Sequence, residues 1–92
     1  MSNMDMRTTV YCYGSPEMAL LSAGYTQITK WLEVPEYETA GCSDAKLFDE
    51  QAAMEATLNI ATAALVGGNM IHDVGYLEQG LTSSMEMVVA CD

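Results

Sequence analysis

The sequence predicts an α/β chain built from three consecutive strand–helix units with parallel strands. Two observations carry this. Strand-like runs begin near residues 7, 36 and 69, about 30 residues apart, the period of a β-α-β unit with a right-handed crossover. Between them lie stretches with apolar residues at helical spacing, opened by capping residues and closed by proline or glycine. A closed eight-stranded barrel needs roughly 250 residues, so 92 residues hold at most part of one, a single segment over 1–92 with no room for a second domain.

The first strand is expected over 7–13, RTTVYCY, where β-branched and aromatic residues concentrate. GSPE follows, with a glycine break, Ser15 as N-cap, Pro16 at the first helical position and an acid in the first turn. A helix over 16–33 should present Leu21, Tyr25, Ile28 and Leu32 as its apolar stripe, with Ser22, Thr26, Lys30 and Glu33 opposite, and stop before Pro35. The second strand is expected over 36–42, EYETAGC. Asp49 caps a helix over 50–66 whose apolar face is Met54, Leu58, Ala61 and Leu65, with Gln51, Glu55, Asn59 and Thr62 opposite. Gly67 and Gly68 suit a left-handed C-terminal cap. The third strand covers 69–74, and SSMEMVVACD opens a third helix over 83–92 that reaches Asp92 with no stop signal, as if cut inside an element.

Composition narrows the function. Thirteen acids against three bases, Arg7, Lys30 and Lys46, give a net charge of −10, which repels a phosphate backbone and excludes nucleic acid as a partner. Apolar runs such as AALV at 63–66 fall far short of the roughly 20 residues that cross a bilayer. With no basic, apolar leader in MSNMDMRTTV, a soluble cytoplasmic protein is expected. Cys12, Cys42 and Cys91 match neither a disulfide framework nor a Cys-x-x-Cys site, and one histidine makes a zinc site a poor fit. No phosphate-binding glycine loop and no G-x-S-x-G elbow is present. The eight methionines suit gap filling in a core.

Parallel strands deliver their carboxyl ends to one rim, the usual place for ligands. Here the rim collects Tyr13, Cys42 to Asp44, and His72–Asp73. Alternation places Tyr11 and Tyr13 on one strand face and separates His72 from Asp73. If the smaller apolar residues face the helices, Tyr11, Tyr13 and His72 face the interior. His72 either works as an acid, base or donor near neutral pH or simply bonds a neighbouring carbonyl or carboxylate. Asp73 and Asp44, with Tyr11, Tyr13 and Tyr76, would suit an ammonium ligand, because ring faces and carboxylates both attract it. The alternatives are strand packing for the tyrosines and a helix cap for Asp44.

DMRTTVYCYGSPEMAL, TAGCSDAKLFDEQAAMEA and GGNMIHDVGYLEQGLTSSMEMVVACD, three blocks in order from Asp5 to Asp92, resemble the trimethylamine methyltransferase family, which includes corrinoid-dependent glycine betaine demethylases. The resemblance implies a TIM (β/α)8 barrel of several hundred residues, of which this chain matches a stretch from the later half. It also implies transfer of a methyl group from a small methylated amine to the cobalt of a corrinoid (cobalamin) on a separate protein, with no cofactor bound directly. The family divides between pyrrolysine-containing trimethylamine enzymes and relatives acting on quaternary amines, and this chain, with no such residue, resembles the second group. The expected site is therefore His72 and Asp73 as the central pair and Tyr11, Tyr13, Asp44 and Tyr76 around the substrate, in a piece expected to be inactive alone. A rival reading from length is a small non-enzymatic module that forms homo-oligomers through open sheet edges.

Overall fold

The computed structural model describes residues 3–92. It is a small mixed α/β domain: α1 (Pro16–Trp31), β1 (Glu38–Thr39), α2 (Glu50–Val66), β2 (Ile71–His72), β3 (Tyr76–Leu77), a short 3-10 turn (Glu78–Gly80), β4 (Thr82–Ser83) and α3 (Met85–Cys91). β1 and β2 pair in parallel, Glu38 opposite Ile71 and Thr39 opposite His72. β3 and β4 form an antiparallel pair in a stretch expected to be loop, so the sheets are short and of both kinds rather than one run of three parallel strands.

The strand expected over 7–13 does not form. Asp5 bends the chain instead: its carboxylate accepts the Arg7 N–H at 2.9 Å and the Thr8 hydroxyl at 2.7 Å, and its carbonyl accepts the Thr9 N–H at 2.8 Å. Aspartate offers the backbone a local alternative to a ladder, and Thr9 turns with φ +58°. Only an isolated antiparallel bridge between Met4 and Tyr11 remains. The other two strands keep their places but shorten. The Glu36 N–H goes to the Asn69 side chain at 3.2 Å, and past the pair Gly41 and Asp73 both adopt positive φ.

The helices start and stop on the expected chemistry. Ser15 accepts the Met18 N–H, Asp49 the Ala52 N–H and Ser84 the Met87 N–H, each meeting one of the otherwise unpaired first-turn donors. α1 ends at Trp31, two residues early, where Glu33 takes a positive φ. Gly67 closes α2 in the left-handed conformation (φ +74°), which glycine adopts without the cost a Cβ imposes. The Lys30 ammonium bonds the free Val66 carbonyl beside it, at the negative end of the helix dipole.

The faces those helices bury are not the expected apolar stripes, and of the residues placed opposite them Thr26 and Asn59 are buried. α1 buries Met18, Ala19, Thr26 and Thr29 and leaves Leu21, Tyr25, Ile28 and Leu32 exposed. α2 buries Ala52, Ala56, Asn59 and Ala63, while Leu65 is 88% exposed and Met54 and Leu58 also face outward. The inner stripe is one of small residues at 52, 56 and 63, which let α2 approach its neighbours closely. Asn59 belongs there because its amide donates to the carbonyls of Cys42 at 3.1 Å and Tyr13 at 3.4 Å, groups that burial would otherwise leave unpaired.

The apolar core joins α2 to the hairpin and α3: Ala45, Ala52, Ala56, Leu77 and Met87, with Cys91 packed on its edge. Met87, fully buried, is its largest member. Among the described residues Met18 is the other buried methionine, whereas Met4, Met6, Met54, Met70 and Met85 are exposed, so core filling accounts for two of them. Among the described residues no helix is long and apolar enough to cross a membrane.

Candidate functional site

Parallel pairing of β1 with β2 sets Thr39 beside His72 at the carboxyl end of the sheet, and the site grows from that pair. The His72 ring stacks on Tyr37, centroids 3.8 Å apart and planes 10° from parallel. Its Nδ1 lies 2.9 Å from Asp73 Oδ2. A carboxylate accepts here, so Nδ1 carries the hydrogen, and in the neutral imidazole Nε2 is left as the acceptor. Thr39 Oγ1 sits 3.3 Å from that Nε2 and 3.4 Å from Asp73 Oδ2. One hydroxyl hydrogen serves one of the two at a time.

Strict alternation would send His72 and Asp73 to opposite faces. Asp73 has φ +67°, uncommon for a residue with a side chain, and this turn brings its carboxylate back beside the imidazole. The expectation of separate faces is corrected by that one backbone angle. The outcome left open for His72, bonding to a neighbouring carboxylate, is the one observed.

A cavity of about 290 Å³ opens over this cluster. Tyr37, Thr39, His72, Asp73 and Glu38 form the strand side, Tyr13 the loop side, and Met18, Ser22 and Tyr25 the α1 side. Of the six residues expected at the site, His72, Asp73 and Tyr13 come together here. Tyr11 stacks on Tyr13 at 6.1 Å but is half exposed outside the lining. Asp44 lies outside the lining and is no helix cap: its two oxygens accept the N–H groups of Tyr13 and Gly14 at 2.9 and 3.1 Å, holding Tyr13 in place. Tyr76 sits on the antiparallel hairpin, away from the cavity.

Tyr37, Thr39, Glu38 and Tyr25 were missed. Tyr37 and Thr39 share one face of EYETAGC by simple alternation, a signal available once β1 is set parallel to β2. Tyr25 was hidden by its place in an apparent apolar stripe.

Glu55 supports the rim from α2. Its carboxylate accepts the Ser43 hydroxyl and, at 2.9 Å, the Asp44 N–H. Glycine at 14 leaves room for this approach: a Cβ there would lie 2.0 Å from Glu55 Oε2 and would displace that carboxylate. The carboxylates leave an electrical mark. The Tyr13 hydroxyl is pushed above its ordinary pKa by burial and then by Asp73, with smaller contributions from Tyr11, Cys42 and Asp44. Burial, then Asp73 and Asp44, pushes the Cys42 thiol up to about 12, so it stays protonated and is no nucleophile at neutral pH. Asp44 itself is raised by burial, against the two N–H bonds that lower it. Burial, the largest cause of all three shifts, penalises any charge here, and the neighbouring carboxylates add a further bias against negative charge.

Among the described residues no three His, Cys, Asp or Glu side chains gather as a metal-ion ligand set. A family model described as Trimethylamine methyltransferase (MTTB) matches residues 1–92. The chain belongs to the trimethylamine methyltransferase family. A trimethylamine methyltransferase MttB of Methanosarcina barkeri is 38% identical over 88 residues, 96% of this chain and 18% of that protein. The MttB of Desulfitobacterium hafniense strain DSM 10664 / DCB-2 is 37% identical over 79 residues, 86% of this chain and 16% of its own length. A glycine betaine methyltransferase of Desulfitobacterium hafniense strain Y51 is 33% identical over 89 residues, 96% of this chain and 19% of its own length. The chain thus spans less than a fifth of the length of these family members.

Proposed function

We propose that these residues form one sector of the donor site of a methyltransferase that takes a methyl group from a tertiary or quaternary amine, of the trimethylamine or glycine betaine type, and passes it to a corrinoid carried by a separate protein. The observation that carries this reading is the Tyr37–His72 stack backed by Asp73, inside a cavity that also holds Tyr13 and Tyr25. Aromatic faces and a carboxylate attract an alkylammonium ion that has little hydrogen-bonding capacity of its own. Membership of the family supports the reaction class, and the names of the relatives support the two amine types.

In this reading the β1–α2–β2 unit is one sector of a (β/α)8 barrel, and the cavity lies at the carboxyl ends of its strands, where such barrels bind ligands. The remaining walls come from residues outside this chain, and the 92 residues alone do not turn over. A corrinoid on the separate protein would supply the nucleophilic metal that accepts the methyl group. Loss of that group from a quaternary donor, or from a protonated tertiary one, would leave the amine as a neutral base that keeps the bonding electron pair. A positively charged donor needs no proton for this. The chain's part is orientation: Tyr37 and Tyr13 confine the methyl groups, Asp73 balances the charge, and His72, fixed by Asp73 and Tyr37, sets the wall against which the amine rests. Three unpaired cysteines fit a reducing compartment, and the reading places the protein in the cytoplasm.

The test follows the visible spectrum of reduced cobalamin mixed with the protein in its natural full chain and either amine. Methylation of the cobalamin is expected. Replacing both His72 and Asp73 by alanine should slow it by at least about tenfold; an unchanged rate would remove these residues from the site.

A second reading is favoured by two observations: among the described residues β1–β2 and β3–β4 each have two strands, and α1 and α2 turn large apolar side chains outward. These features suit a non-enzymatic module that assembles with copies of itself. Light scattering on the purified chain separates the two, since a stable, well-folded multimer with no amine binding supports the module.

A further inference from the structure

Tyr13 is the loop-side wall of the cavity, and it stands in a segment that forms no strand. Side chains set its place. The Tyr13 N–H donates to Asp44 Oδ1 at 2.9 Å and the Gly14 N–H to Oδ2 at 3.1 Å, while the Tyr13 carbonyl accepts from the Asn59 amide at 3.4 Å. An amide N–H carries a single hydrogen, so both N–H groups are committed to Asp44 whatever residues beyond this chain surround it.

Asp44 is itself held from α2. Glu55 Oε2 accepts the Asp44 N–H at 2.9 Å and also the hydroxyl of Ser43, which is fully buried. The Ser43 oxygen in turn accepts the Ala45 N–H at 2.9 Å, so one carboxylate oxygen ties down the 43–45 turn. The other Glu55 oxygen accepts the Gln51 amide at 2.8 Å, one helical turn back. Glu55 and Asn59 are four residues apart and share a face of α2. That face holds the Tyr13 backbone at both ends, at its carbonyl directly and at its N–H through Asp44. Gly14 closes the arrangement, since a Cβ there would lie 2.0 Å from Glu55 Oε2 and 3.0 Å from the Asp44 nitrogen. The backbone after Tyr13 therefore rests on the contact between Glu55 and Asp44.

Resting on the amine-site reading above, we propose that Glu55, which does not line the cavity, is a positioning residue for it. Through Asp44 it fixes where the Tyr13 ring stands, and so how closely an alkylammonium ion is confined between that ring and the Tyr37–His72 wall. A wall already in place needs no ordering when the ligand arrives. Without the carboxylate the 43–45 turn loses its tie to α2, and the Tyr13 ring is ordered only on binding, at a cost in affinity.

The experiment is calorimetric titration of the natural full chain with tetramethylammonium chloride, alongside NMR of the Tyr13 ring in the ligand-free protein, with its signal identified by loss in Tyr13→Phe. Glu55→Ala should weaken binding by about three- to tenfold and should shift or broaden the Tyr13 ring signal. Glu55→Gln keeps an oxygen for Ser43 and Asp44 and should restore most of the affinity together with the ring signal. Because Glu55→Ala can loosen the fold, Gly14→Ala provides a second route: it displaces the same carboxylate from the Tyr13 side and should weaken binding in the same direction. Undiminished binding with an unmoved ring in Glu55→Ala would overturn the positioning role while leaving the amine-site reading intact. Absence of binding by the unsubstituted protein would overturn the amine-site reading and the positioning role with it.

Discussion

At the carboxyl ends of β1 and β2, Thr39, His72, Asp73 and Tyr37 each bond or stack on another member of the group. On the outer faces of α1 and α2, Trp31, at 81% exposed, Ile28, Met54 and Leu65 stand in water. Placement by hydrophobicity alone would have reversed this, with leucines inside and hydroxyls and carboxylates outside. Here the helices are held by alanines and by Asn59, residues chosen for close approach and for pairing backbone carbonyls, while the large apolar groups are left on the surface. Exposed large apolar side chains suit an interaction face where they adjoin, whereas the interlocked polar cluster has its geometry fixed before a ligand arrives. In the proposed reading the polar cluster is the region that binds the ligand.

Substitutions separate the two regions, and the largest effect lies in the core between them. Met87→Ala, which empties the largest buried side chain, should cost about 2 to 5 kcal/mol in chemical denaturation. Asn59→Leu, on the inner face of α2, leaves the Tyr13 and Cys42 carbonyls without a donor and should cost about 1 to 3 kcal/mol, even though it raises the hydrophobicity of a helix. Removing the Asp49 cap with alanine should cost about 1 kcal/mol. The smallest change is expected on the outer face: Leu65→Ser should shift stability by less than about 0.5 kcal/mol in the isolated chain. A loss there comparable to Met87→Ala would mean that the exposed stripe is already covered in solution.

A pH experiment reaches the polar region through Cys42. The Cys42 thiol has an ordinary value of 9.0 and is raised to about 12 in the folded state, so the folded protein holds that proton more tightly than the unfolded chain. The resulting contribution to stability is complete below pH 9 and is lost as pH climbs from 9 towards 12. Cys42→Ala should flatten that part of the stability curve. At pH 8 a thiol reagent should label Cys12 and Cys91, both partly exposed, and spare buried Cys42.

The sequence was most informative at element ends, where single residues decide. Ser15, Asp49 and Gly67 each act through one local bond or one backbone angle, and the bounds of α2 follow from them. It was least informative where a residue answers to something distant. The choice of inner helix face depends on what α1 and α2 approach, so leucine spacing pointed outward and the alanine stripe inward. The strand expected at 7–13 was lost to Asp5, a competitor lying just before it. At the site, His72, Asp73 and Tyr13 were visible from strand position, but Tyr37 required the parallel register with β2, and the approach of Asp73 to His72 required a left-handed angle that alternation forbids. The family was legible from the three sequence blocks.

The claim that the stacked Tyr37–His72 wall is an amine-binding surface is tested most directly by NMR, titrating the protein with tetramethylammonium while following ring signals of Tyr37 and His72. Saturable shifts of both rings, lost in Asp73→Asn with the fold retained, are the predicted result. Rings that do not respond, or shifts confined to the outer faces of α1 and α2, would contradict the account.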